Sequence, residues 1–138
     1  MKSRNESLIR LKKFQVDEKR RQVTQIEMMI ADFERMAAEL DQQIDIEHTK
    51  TGISDVAHFA YSTFAKAAIG RRDNLLASAN DMKGKLEAAQ DALAEAVGDL
   101  KKVELLDQRE HGREVAAEAK IEQSEYDEIG RLRHITRR

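Results

Sequence analysis

Apolar residues recur along the first part of the chain at Val23, Ile26, Ile30, Phe33, Ala37, Leu40 and Ile44, in steps of three and four without a miss. That spacing keeps one stripe of a helix turned toward a partner helix, so it predicts a coiled-coil seam. The same register runs back through Val16 and Ile9 but meets Lys12 and Lys19, which leaves the first turns only half apolar. A second seam follows at Leu75, Ala79, Met82, Leu86, Ala89, Leu93, Ala96, Leu100 and Val103. Between Ser54 and Leu75 the stripe is less regular, through Val56, Ala60, Phe64 and Ala68, which predicts a slip in coiled-coil phase. Ser3 and Glu6 fit a capping box and start the first helix.

Thr49 to Ser54 is a cluster of weak helix formers. Gly52 can take the left-handed conformation that ends a helix, and Ser54, followed by Asp55, can cap the next one. The elements predicted are helix 1 over about 3–49, a turn over about 50–53 and helix 2 over about 54–135. Equal rise along both helices then places residue n opposite about residue 103 minus n. Residues 107–114 carry no apolar side chain, so the seam is expected to stop there. Beyond it Val115, Ala119, Tyr126, Ile129, Leu132 and Ile135 form a thin stripe. The fold class expected is all-α: one domain over 1–138, a monomeric antiparallel two-helix coiled-coil hairpin whose C-terminal part, 107–138, overhangs. A lone helix is marginal in water, so such an overhang should order against something else.

Composition narrows the field further. The 138 residues include no Pro, no Cys, no Trp and six Gly, and 36% are charged. A sandwich, barrel or α/β domain needs a turn signal every few residues and is excluded. Without cysteine there is neither disulfide nor thiolate chemistry. No apolar run follows Met1, which predicts no signal peptide, no membrane span and an intracellular, soluble chain. The net charge of -2 conceals a pattern: residues 1–21 hold eight Lys/Arg against Glu6, Asp17 and Glu18, residues 22–50 reverse that balance, and Arg131, Arg133, Arg137 and Arg138 close the chain.

Candidate chemistry is sparse. His48, His58, His111 and His134 are scattered, none with a second His or a Cys at metal-ligand spacing. Asp107, His111 and Glu114 share a helical face, but charged solvated faces produce that pattern commonly. Gly70, Gly84, Gly98 and Gly112 never cluster into a phosphate loop, and no nucleophile elbow exists. Catalytic, cofactor and metal sites are therefore expected to be absent. The four glycines stand fourteen residues apart, on the outward heptad position f, either as a tolerated solvent-facing row or as a pliable or closely approached face. Three of the six aromatic residues, Phe59, Tyr61 and Phe64, lie just after the turn and cannot all enter a two-helix seam. They read as a plug closing the tip or as an exposed docking patch. The basic face of Lys12, Lys13, Lys19, Arg20 and Arg21 lacks any recognition signature for nucleic acid, and its apolar side is thin for a membrane surface; an acidic protein surface suits it better.

Three segments together carry a family resemblance: residues 10–21, RLKKFQVDEKRR; Gly52-Ile53-Ser54 leading to Phe59, Tyr61 and Phe64; and the charged stretch from Lys101 through Glu110 and Glu114 to Tyr126, Asp127 and Glu128. Over essentially its whole length the chain resembles the flagellar export protein FliJ family. That resemblance implies an antiparallel coiled coil similar to the stalk subunit of rotary ATP synthases. It also implies binding to the export ATPase FliI at its ring centre, to the export-gate protein FlhA and to substrate chaperones. The implied setting is flagellum biogenesis, with its motility and chemotaxis, in the cytoplasm and, through partners alone, at the cytoplasmic face of the inner membrane. Phe64 lines up with the family's gate-binding phenylalanine, with Phe59, Tyr61 and Ala68 beside it. Leu40 to Glu47 lacks the tyrosines that better-known members carry on helix 1. Arg109, Arg113, Tyr126, Ile129, Arg131 and Arg133 are the residues expected at the ATPase ring. A related stalk protein of a virulence secretion system and a generic coiled-coil scaffold or adaptor are the alternative readings, with a nucleic-acid binder a distant third.

Overall fold

A computed structural model of the chain describes residues 4–136 and contains two helices, α1 over Arg4–Thr51 and α2 over Thr63–Thr136. The two pack against each other with no strand among the described residues, which is the all-α hairpin expected. Ser3 of the proposed capping box, and Arg137 and Arg138, lie outside the described residues. The chain divides into two compact units, Gln15–Ala96 and a second one formed by α1 up to Phe14 with α2 from Val97 onward. Each is described by itself.

In the unit Gln15–Ala96, the seam residues of α1 from Val16 to Ile44 are buried or half-buried, as are those of α2 from Leu75 to Ala96. The phase slip expected before Leu75 is absent. The α2 seam continues in unbroken steps of three and four back through Arg72 and Ala68 to Ala65, which is fully buried. Arg72 hid it from the sequence: a guanidinium occupies a position that an apolar residue normally takes. It is accommodated because its Nη1 donates to Asp41 Oδ1 across the seam at 2.8 Å while Nε and Nη2 reach Asp73 Oδ1. The same carboxylates, Asp41 first and Asp73 second, raise the guanidinium pKa above its ordinary value by hydrogen bonding.

The register differs from the expected one. Asp41 pairs with Arg72 and Glu34 with Lys83, numbers that add to 113 and 117, so residue n of α1 faces about residue 115 minus n rather than 103 minus n. The cause is the connection, which runs over 52–62 instead of closing at 53. Gly52 ends α1 as expected, with φ of 74° and its N–H donating to the His48 carbonyl at 2.9 Å, the left-handed cap that a side chain would strain. Ser54 does not cap α2. Asp55 instead makes a local turn, its Oδ1 accepting from Ala57 N–H and its carbonyl from His58 N–H, both at 3.0 Å.

Ser62 is the cap that is used. Its Oγ accepts from Ala65 N–H at 3.2 Å and donates to Glu47 Oε1 at 2.9 Å, while the Tyr61 hydroxyl lies 2.6 Å from His48 Nε2. Two side chains in the last turn of α1 thus grip the two residues that precede α2. Local cap propensity does not separate Ser54 from Ser62, but these long-range hydrogen bonds do.

In the second unit, Ile9 and Lys12 on α1, and Leu100 and Val103 on α2, are buried or half-buried. Asn5 Nδ2 donates to Glu110 Oε2. Asn5 and Glu6 share a cleft with Asp107, Glu110, His111 and Glu114, so residues 107–114, expected to overhang, lie beside the first turn of α1. This corrects the expected start of the overhang, and the contact between Asn5 and Glu110 within this unit is what shows it. Every described residue from Gln108 to Ile135 is exposed, and the stretch beyond Glu114 spans about 33 Å at helical rise.

Candidate partner-binding surfaces

The connection sets out the aromatic residues unequally. Phe59 is 97% exposed, and its ring stacks on the His58 imidazole with centroids 4.7 Å apart and planes 22° from parallel. Tyr61 is half-buried, tilted against the His48 ring at 5.5 Å, with its hydroxyl engaged there. Phe64 occupies the first turn of α2 at 52% exposure. Ala68 is 2% exposed and faces the seam. Of the four residues expected at a gate surface, two present side chains to solvent, one closes the tip and one lies in the core.

The sequence singles out neither Glu47 nor Ser62, and it offers His48 and His58 for weighing only as metal ligands; all four instead hold the tip by hydrogen bonds. A signal existed for the first: Glu47 falls on the α1 seam register three residues after Ile44, and a carboxylate there has to be answered from across the seam. His58 has a defined role as well. Its Nδ1 accepts from Ala60 N–H at 3.0 Å, which leaves the proton of the neutral ring on Nε2.

On the exposed stretch of α2, Tyr126 is 71% exposed and Ile129 is also open, with Val115, Ile121, Leu132 and Ile135 exposed along the same helix. The six residues expected at an ATPase ring do not form one patch. At 100° per residue, Tyr126, Ile129 and Arg133 share one side, whereas Arg109, Arg113 and Arg131 share another. Arg131 also pairs with Glu128 at 3.6 Å.

The basic segment of α1 is partly neutralised along the helix, Arg20 lying 3.7 Å from Asp17 and Arg21 3.0 Å from Glu18. Lys12 and Lys19, on the seam register, are half-buried. At Gly70, Gly84, Gly98 and Gly112 an added Cβ would meet nothing within 4 Å, in keeping with the outward heptad position. Among the described residues no group of three or more His, Cys, Asp or Glu is arranged to hold a metal ion, and no helix is long and apolar enough to cross a membrane.

Neither the curated proteins nor the solved structures contain a match to this chain. The sequence profile of the flagellar FliJ protein matches residues 1–138, the full length. Two long helices, a heptad seam on each and a match that omits no segment agree: the chain belongs to the flagellar FliJ family, a non-enzymatic component of the flagellar protein export apparatus.

Proposed function

We propose that this chain links the export ATPase ring, through FliI, with the export gate protein FlhA and with substrate chaperones, working in the cytoplasm and reaching the cytoplasmic face of the inner membrane only through those partners. The observation that carries this reading is the exposed stretch of α2. Val115, Ile121, Tyr126 and Ile129 stand open on a helix that α1 does not accompany. An isolated helix of that length is marginal in water, and apolar side chains left outside mark an interface. The side bearing Tyr126, Ile129 and Arg133 is the one that would enter the ring opening, and Arg109, Arg113 and Arg131 would meet acidic groups on its wall. In the other unit, Phe64 and Phe59 supply a separate apolar surface for the gate. Capture of the purified export ATPase tests the ring contact. Tyr126→Ser combined with Ile129→Ser should abolish capture with unchanged far-ultraviolet circular dichroism; full capture by this variant refutes the assignment.

A further inference from the structure

We infer that His58 and Phe59 form a recognition finger that seats in an apolar pocket of a folded protein partner, a pocket whose rim is cationic and offers a hydrogen-bond acceptor to the imidazole. The inference rests on the reading that the tip of the hairpin meets the export gate, and it deepens that reading by adding His58 to Phe59 and stating the chemistry of the pocket the pair enters, a contact that Phe64 does not make.

Three observations support it. Phe59 stands almost wholly in water at 97% exposure, yet it is held rather than loose: the connection is fastened at Gly52 to His48, at Ser62 to Glu47 and at Tyr61 to His48. Between those points Asp55 and His58 accept from the backbone of Ala57, Ala60 and Tyr61. A backbone fastened on both sides of the ring has less freedom to lose on binding, so more of the ring's burial appears as affinity.

Second, the Ala60 N–H held by His58 Nδ1 directs the Nε2 proton outward from an exposed ring. No acceptor for it is present among the described residues. The stacked pair therefore offers an apolar ring with a hydrogen-bond donor at its side, a combination that suits a protein pocket with a polar edge.

Third, charge selects among the occupants. Residues 45–62 contain Asp45, Glu47 and Asp55 against Lys50 alone. An anionic lipid surface attracts basic segments and would repel this one. A second copy of the chain would bring the same acids face to face. A pocket with Lys or Arg at its rim meets both the apolar ring and its acidic surroundings.

The experiment is calorimetric titration of the full chain with the purified cytoplasmic domain of the gate protein, comparing wild type, Phe59→Ala and Phe64→Ala, alongside the fluorescence of Phe59→Trp with vesicles rich in phosphatidylglycerol. Phe59→Ala should weaken binding by about 10- to 100-fold, the equivalent of burying one phenyl ring, with an unchanged thermal midpoint. Wild-type binding should also weaken as salt is raised. If Phe64→Ala weakens binding and Phe59→Ala does not, the finger is wrong and the gate reading stands. If wild type does not bind the gate domain, both fall. A blue shift of the Trp emission on vesicles, without one on the gate domain, overturns the protein pocket in favour of a bilayer.

Discussion

Replacing the row of outward glycines by alanine should stabilise the protein, and Gly84→Ala is the cleanest case. Glycine in a helix interior costs about 1 kcal/mol relative to alanine, because the unfolded chain has more backbone freedom to lose. That difference is recovered only where the new methyl group fits. At Gly84 an added Cβ meets nothing within 4 Å, and Gly52 alone among the glycines has a positive φ, so neither a clash nor backbone strain offsets the gain. Gly70, in the same unit, lies about 21 Å away along α2, beyond the range at which substitutions usually couple, so the effects of the two changes should add. Each change should raise the thermal midpoint by about 4 °C in a chain of this size, read by far-ultraviolet circular dichroism.

A midpoint for Gly84→Ala that stays level or falls would refute the reasoning, since it would mean that this face is covered in solution. The combined Gly70→Ala, Gly84→Ala, Gly98→Ala and Gly112→Ala variant then separates the two readings of the row. Raised stability with normal swarming makes the glycines a tolerated solvent-facing feature. Raised stability with lost swarming means that export needs a pliable α2 or a close approach to it.

Two further outcomes follow from the seam and the tip. Ser62→Ala should lower stability by about 1 kcal/mol through the lost α2 cap, whereas Ser54→Ala should stay within about 0.5 kcal/mol, both measured as urea midpoints; equal losses would contradict the observed start of α2. A double-mutant cycle of Arg72→Ala and Asp41→Ala should give a coupling of about 0.5 kcal/mol, small because both groups are partly solvated, and Arg72→Met should match or exceed wild-type stability. Because the hydrogen bonds to Asp41 and Asp73 raise the guanidinium pKa in the folded state, its stabilising contribution is complete below the ordinary arginine value and is lost only in strong base. Melts between about pH 6 and 9 should therefore show no change that Arg72→Met removes.

The two seams were legible because heptad spacing is a local property of each helix and survives whatever joins them. Every residue from Val23 to Ile44 placed on the first stripe, and every one from Leu75 to Val103 on the second, is buried or half-buried. The start of α2 was not legible, because two serines with equal local claims to cap a helix lie eight residues apart. Their difference resides in Glu47 and His48, which reach Ser62 and Tyr61 across a gap that sequence spacing cannot measure. The N-terminal limit of the α2 seam was obscured for a related reason. Arg72 resembles a surface residue until Asp41 is placed opposite it, and Asp41 can be placed only when the register is known.

One displacement of the register decides which residues are available for binding. With α2 beginning at Thr63 and its seam at Ala65, the 100° step between neighbours turns Ala65 and Ala68 inward and leaves Phe64 at the edge in water. The irregular stripe expected through Val56, Ala60, Phe64 and Ala68 ran helix 2 through what is the connection; of the four, only Ala68 lies in the seam, while the exposure of Phe59 and Phe64 accords with the docking-patch reading of the aromatic cluster. In the other unit Glu110 lies beside Asn5, so the unaccompanied stretch of α2 begins past Glu114. Asp107, Glu110, His111 and Glu114 thereby line a cleft with Asn5 and Glu6, and the apolar residues Val115, Ile121, Tyr126 and Ile129 are the ones left open with no part of α1 beside them. A ring contact built on this chain should depend on those side chains more than on the charged segment before them, because the unmet hydrophobic surface lies there.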